Sequence, residues 1–552
     1  MRQPFIASLR THFALIALLI STFVIYAPSL GGGFVLDDGP FIKDNPYIRD
    51  ASHITRFFSK GVWENSAVEV NSEPLYRPMS QVPMLLNHAI WGSNPVGYHL
   101  FAVLLHLVNA CLAYLLIRKL LAGSITAATI GAAIFALHPS RVESVAWISG
   151  GVDPLVSVFL LGALLAHLSF VNAARNGKEW RYLALSVLFF QLALWSKEAA
   201  IAFPLIAVAY SLIYKKKIHW PSVFLHSGVV FAYLVSRYLV LGETGKWGLI
   251  DLSHVSRPID FALGYSELLV FPAQIPFYLQ PPEHSVSSVL GILAAVMIFA
   301  MVGFSWQAFD QNRKRVLAFS LSWVVIFLWP AVLLAFFTEG YYAARLLYVP
   351  SIGIAVFAAA LYGHLRETYP NSRVPLLASC ILLVSYYGFC TWRGIPSWHD
   401  EETIYGKIAR LAPESDGAFN GLGRVYFSQG NYAAAEKNFL IALQKAKAPN
   451  NRLNALVTLG TIQGMSNNFA QSERYLKDAL EINPENSEAW AGLGNLAWLQ
   501  SQPYQAISFY EKALAFRPGN YEAAMNLAMA YEKVGQLERG ALIRRQATPI
   551  HP

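Results

Sequence analysis

Apolar runs long enough to cross a lipid bilayer recur through this 552-residue chain until about Trp392, and nothing else in it constrains the fold as much. They fall at about 12–30, 97–120, 124–138, 150–174, 182–196, 198–214, 220–241, 286–306, 316–338, 346–366 and 374–392. In hydrocarbon every backbone N–H and C=O must find a partner inside its own segment, so these runs predict about eleven membrane-spanning helices. A further run at 259–279 is interrupted by Glu267 and Pro272 and is read as re-entrant or interfacial. With 55% hydrophobic residues, 14% charged residues and a mean hydropathy of +0.38, the chain is too apolar for an ordinary soluble surface. Its first run follows Arg2 and Arg10, exceeds the usual signal-peptide core and lacks a clear cleavage site, so a retained anchor is expected. Cys111, Cys380 and Cys390 all lie in apolar runs and outline no disulfide framework.

Orientation follows from where Lys and Arg collect. The net charge of +8 resides largely in short loops: Arg118 with Lys119, then RNGKEWR, YKKK, QNRKR and HLRETYPNSR. With the N-terminus in the cytoplasm all five fall on the cytoplasmic side, provided that 259–279 does not span. A membrane-orienting pattern of this kind argues against a nucleic-acid partner. It also places the loops around Asp37, His138, Lys197 and Arg345 outside the cytoplasm, together with everything beyond residue 398.

The tail has a different character. Leu-Gly pairs recur at Gly423, Gly460 and Gly494, 37 and 34 residues apart, and a degenerate fourth unit has Ala528 another 34 residues on. Small residues at Ala435, Ala442, Ala479, Ala506 and Ala513 let paired helices approach closely, and Pro484 and Pro518 close their units. This is the tetratricopeptide pattern. The expected fold is therefore all-α: a membrane domain over 1–398, a linker over 399–416 and an α-solenoid of three to four repeats over 417–545.

Four polar clusters stand out in the outer loops: FVLDDGP, HPSRVESVAWISGGVDP, WSKEAA and EGYYAARLLYVPS. Charge near hydrocarbon is costly unless paired or wet, which marks these loops as candidates for a site. Asp37 or Asp38 can take a proton from a hydroxyl, while Arg345, Arg141 and Lys197 can hold a phosphate or pyrophosphate. A base opposite an anion cradle is what sugar transfer from a lipid phosphate requires, because the departing phosphate needs no general acid. Each residue also has a plainer reading. The two acids can be turn residues, Arg345 and Lys197 interfacial anchors, Glu143 and Glu198 counter-ions of Arg141 and Lys197, and His138 a helix-end residue. The GETGKWG stretch lacks the strand and helix that a nucleotide loop needs. YRPMSQVPMLLNHAIWGSNPVGYH, about 76–99, is read as an in-plane interfacial segment able to roof a lipid cleft, or as a simple connector.

GGFVLDDGPFIKDNPYI, YRPMS with HLVNACLAYLL, HPSRVESVAWISGGVD, WSKEAA and RLLYVPSIG, followed by the repeats, resemble the transmembrane and tetratricopeptide repeat family of protein O-mannosyltransferases, within the GT-C glycosyltransferases. The resemblance covers most of the chain in order. It implies that Asp37 is the base with Asp38 as the second acid of the pair, and that Arg345 binds the donor phosphate. His138, Arg141 and Glu143 would lie on one site loop, Lys197 and Glu198 on another, with Tyr348 in support. It further implies a polyprenyl-phosphate sugar as donor, a protein hydroxyl as acceptor and, for a bacterial relative, the cytoplasmic membrane with the site facing the periplasm. No cofactor is certain, and a divalent metal stays open. Transfer to a lipid or glycan, transfer of an oligosaccharide, and a non-catalytic membrane scaffold stand as alternatives.

Overall fold

The computed structural model describes residues 2–67, 74–173, 179–242, 257–272, 289–334, 343–446 and 449–547. Every regular element among them is a helix, and the chain divides into two compact units, Met1–Asp400 and Glu401–Pro552.

In the first unit, each of the eleven apolar runs forms a helix. Seven described helices are long and apolar enough to cross a membrane: Phe13–Gly31, Pro95–Leu120, Ser149–Asn172, Trp220–Leu241, Val289–Ala308, Gln311–Leu333 and Pro370–Trp398. The other four runs form Ile125–Leu137, Glu179–Ser196, Phe203–Ile213 and Ser351–Thr368. An eleven- or thirteen-residue helix rises only about 16–20 Å against a hydrocarbon core of about 30 Å. Glu179–Ser196 and Ser351–Thr368, with 18 residues each, rise about 27 Å, close to that thickness.

A short run can be apolar through facing protein rather than lipid. Ile125–Leu137 buries nine of its thirteen residues. A Cβ on Gly131 would come within 2.6 Å of the Ala355 carbonyl oxygen, so this glycine lets Ile125–Leu137 lie directly on Ser351–Thr368. Phe224, Phe231, Leu239, Val374 and Leu382, by contrast, project outward from long helices as lipid-facing residues do. The interrupted run at 259–279 contributes the helix Arg257–Val270, whose 14 residues are too few to span. Residues 273–279 lie outside the described residues, as do 243–248 of GETGKWG.

The second unit is a stack of helix pairs: Asp416–Ser428 with Tyr432–Lys445, Pro449–Met465 with Phe469–Ile482, Ser487–Leu499 with Pro503–Phe516, and Tyr521–Lys533 with Leu537–Gln546. Each repeat's small residue sits where a side chain would collide with the partner helix. A Cβ would come within 2.8 Å of Phe439 at Gly423, 2.7 Å of Leu476 at Gly460 and 2.5 Å of Tyr510 at Gly494. Ala435, Ala442, Ala479, Ala506 and Ala513 are fully buried. Every tight turn inside a pair uses one left-handed residue: Gly430 (φ 75°), Asn467 (φ 62°), Ser501 (φ 59°) and Gly535 (φ 84°).

The stretch 399–416, expected as a linker, is largely a helix. Glu401–Leu411 buries Ile404 and Ile408, and the Tyr405 ring occupies the space where Gly421 has no Cβ. The second unit accordingly begins about sixteen residues earlier than the repeat pattern alone implied.

Candidate active site

One cavity of about 520 Å³ gathers residues from all four polar clusters. Asp37 comes from the first loop, Trp147 and Ser149 from the second, Lys197 and Glu198 from the third, and Arg345 from the fourth. The helix Pro78–Trp91 closes one side with Gln81, Met84 and Asn87, and turns Leu86 and Ile90 outward. This is the segment read as interfacial, and its inner face does line the cavity. The volume lies within the range of about 300–1,000 Å³ usual for small-ligand sites.

The acidic loop is pinned by its second aspartate. Asp38 is fully buried. Its Oδ2 accepts from the Val35 amide (3.0 Å), and its Oδ1 accepts from the Ser149 amide (2.8 Å) and the Ser149 hydroxyl (2.5 Å). The indole N–H of Trp147 reaches the Val35 carbonyl at 3.3 Å. Leu36 is held at φ 53°, a conformation that a branched side chain rarely adopts and that marks the loop as strained next to Asp37. Asp38 therefore fixes the loop, leaving the half-buried Asp37 on the cavity wall.

Burial sets the acidity of both carboxyls. It raises Asp37 above the ordinary carboxylate value, while the Arg345 guanidinium pulls it back down. Burial also pushes Asp38 up to about 7, against the opposing pull of its hydrogen bonds from Ser149 and Val35.

Among the described residues three cations line the cavity, each with a carboxylate of its own. Arg345 stacks over Trp147 at 4.8 Å, and Glu143 takes both its amide (3.1 Å) and its Nε (3.6 Å). Lys197 pairs with Asp153 at 2.5 Å. Arg77 meets Glu198 through both carboxylate oxygens, with Nε to Oε2 at 2.7 Å. Arg77 and Asp153 were not among the residues singled out from sequence, although both lie within quoted stretches. No pattern of spacing joins partners 121 or 44 residues apart.

Several expected residues are placed elsewhere. Arg141, expected at the phosphate, is fully buried and absent from the cavity wall, held between the rings of Phe135 and Tyr348 at 5.5 and 5.4 Å. Burial lowers it to about 10, so it keeps its charge without reaching the cavity. His138 caps the turn Pro139–Arg141, accepting from the Ser140 amide at 3.3 Å. Tyr348 is buried with its hydroxyl 2.7 Å from His106 Nδ1. His106 Nε2 lies 2.9 Å from the Ala136 carbonyl and must donate there, so Nδ1 accepts from Tyr348. Glu143 stands behind Arg345, and Glu198 pairs with Arg77 rather than with Lys197. Among the described residues no group of three or more His, Cys, Asp or Glu side chains is placed to hold a metal ion.

Fold and cavity together define a class: a polytopic helical membrane domain with an acid-and-cation cleft between its loops, carrying tetratricopeptide repeats. Known proteins agree with that class. Residues 73–240 match the family model described as dolichyl-phosphate-mannose-protein mannosyltransferase, and 415–485 and 458–521 match tetratricopeptide repeat models. A protein O-mannosyl-transferase of Caenorhabditis elegans is 29% identical over 77% of this chain and 62% of its own length. Protein O-mannosyl-transferase Tmtc1 of Drosophila melanogaster is 24% identical over 80% of this chain and 63% of its own. Protein O-mannosyl-transferase TMTC3 of Homo sapiens is 22% identical over 92% of this chain and 64% of its own. The resemblance to the transmembrane and tetratricopeptide repeat family of protein O-mannosyltransferases thus holds over most of this chain, which spans somewhat under two thirds of the length of these relatives.

Proposed function

We propose that this chain is a membrane glycosyltransferase that moves a single sugar, mannose by analogy with its relatives, from a polyprenyl phosphate to a Ser or Thr hydroxyl of a protein. The observation that carries this reading is the cavity in which Asp37 shares a wall with Arg345, Lys197 and Arg77. Asp37 accepts the proton of the acceptor hydroxyl as its oxygen attacks the anomeric carbon. The bond from that carbon to the phosphate oxygen breaks with its electron pair, and the phosphate stays in the cationic cradle. Attack on the face opposite the leaving phosphate gives inversion. Burial raises Asp37 above the ordinary carboxylate value, which strengthens it as a base, while the Arg345 charge opposes that rise.

Asp38 serves as the support of the acidic loop, Arg345 as the main phosphate ligand, and Lys197 and Arg77 as further ones. Arg141 is left out, since it does not reach the cavity. The repeats present or recruit the acceptor protein. The basic loops favour a cytoplasmic N-terminus, with cavity and repeats outside, in a bacterial chain on the periplasmic side of the inner membrane.

The test is transfer by the purified protein from polyprenyl-phosphate mannose to Ser/Thr-containing envelope peptides, followed by mass spectrometry. A hexose on a hydroxyl residue is expected. A sugar found only on lipid or glycan, or no transfer from any polyprenyl-phosphate sugar, would overturn the reading.

A further inference from the structure

Lys197 is a cavity cation that stands just past a helix end. It follows the last residue of the helix Glu179–Ser196 with φ −159° and ψ 137°, so the helix ends there and the long side chain is held by its own contacts. The contact that fixes it is Asp153, whose Oδ1 lies 2.5 Å from Nζ. Asp153 is 3% exposed and absent from the cavity wall, whereas Lys197 is part of that wall. The carboxylate therefore stands behind the ammonium, on the side away from any ligand.

The anchor is itself well held. Asp153 occupies the first turn of the helix Val152–Asn172, where unsatisfied N–H groups and the helix dipole favour a negative charge. The next residue is tied down as well, since Asn109 Nδ2 donates to the Pro154 carbonyl at 2.8 Å. The second oxygen, Oδ2, has no hydrogen-bond partner among the described residues, so the ion pair to Lys197 is the interaction this carboxylate is placed to make. Its charge also acts on Arg141 and Glu143.

We propose that Asp153 is a positioning residue of the donor site, holding the Lys197 ammonium at the cavity wall without touching the donor. The inference rests on the reading of Lys197 as a phosphate ligand. Glu198, the partner of Arg77, lines the same cavity, so without Asp153 behind it the Lys197 ammonium would turn to that anion and lose its present direction. Glu143 does the same for Arg345, but through a main-chain bond as well, whereas Asp153 acts on the side chain alone.

The experiment is binding of a polyprenyl phosphate to the purified full chain in lipid nanodiscs, for the wild type, Asp153→Asn, Asp153→Glu, Lys197→Met and the double variant Asp153→Asn/Lys197→Met. Asp153→Asn and Lys197→Met should each weaken binding about tenfold, and the double variant should bind within about twofold of Lys197→Met, as residues acting through one interaction do. Asp153→Glu should recover most of the affinity, which a carboxylate that merely joins two helices would not bring about. Where Asp153→Asn does not fold, the double variant, which leaves no unpaired buried charge, carries the comparison with Lys197→Met. Wild-type affinity in Asp153→Asn, or a double variant in which the two losses multiply, would overturn the proposal. If Lys197→Met binds like the wild type, the phosphate reading of Lys197 falls and Asp153 with it. If Lys197→Met is weakened and Asp153→Asn is not, only the assignment of Asp153 falls.

Discussion

Asp37 and Asp38 are neighbours with the same functional group and different surroundings, and the surroundings divide their work. Asp38 spends both oxygens on Val35 and Ser149, whereas Asp37 faces the cavity and the Arg345 charge. Because Arg345 lowers the raised Asp37, removing that charge lets Asp37 rise further. In Arg345→Gln the acid limb of the transfer rate should therefore move to higher pH, as a rate–pH profile would show, whereas an unmoved limb would separate the two residues. Asp38 yields a second pH dependence. Burial raises its pKa on folding from 3.8 to about 7, so the folded state prefers the protonated acid. The stabilisation is fully present below pH 3.8 and is lost as pH rises through about 7. Relative to Asp38→Asn, which does not titrate there, the wild type should gain about 2–4 kcal/mol between pH 7 and pH 4 in denaturation measurements. The charges of these residues were readable in sequence, but their pairing was not. Arg345 with Glu143 and Arg77 with Glu198 join positions 202 and 121 residues apart, and only the fold brings them together. Arg141 shows the converse, since a basic residue in the expected loop turned inward between two aromatic rings.

At the scale of elements, periodicity proved a better guide than length. The repeats were legible because their small residues recur where helices touch, at Gly423, Gly460 and Gly494. The helix Glu401–Leu411 was not, because a short amphipathic helix lying outside a repeat has no second copy to reveal it. The eleven apolar runs of the membrane domain were legible as helices, but which of their faces meet protein and which meet lipid was not, since both kinds of burial demand the same residue types. The left-handed turns offer a local test. Gly430, Asn467 and Gly535 suit positive φ, whereas Ser501 carries a Cβ at φ 59°. Ser501→Gly should stabilise the repeat unit by about 0.5–1 kcal/mol, read from its thermal transition, because relief of left-handed strain outweighs the added chain entropy.

For the whole molecule, orientation and chemistry depend on each other. A cavity formed by four loops can serve extracytoplasmic acceptors only if those loops leave the membrane on one side, as the basic loops between the other ends imply. Single cysteines at Lys43, Asn312 and Glu473, all exposed, would test this in a chain whose native cysteines are replaced by alanine. An impermeant thiol reagent applied to spheroplasts should label the positions in the acidic loop and the repeats and spare Asn312→Cys, whereas the reverse pattern would invert the topology. The central claim is that a carboxylate at Asp37 removes the acceptor proton beside a bound lipid phosphate. Single-turnover transfer by Asp37→Asn tests it most directly, with donor affinity measured on the same preparation. The account predicts a rate lower by about 10²–10⁴-fold with donor affinity within about twofold of the wild type. An undiminished rate would contradict it.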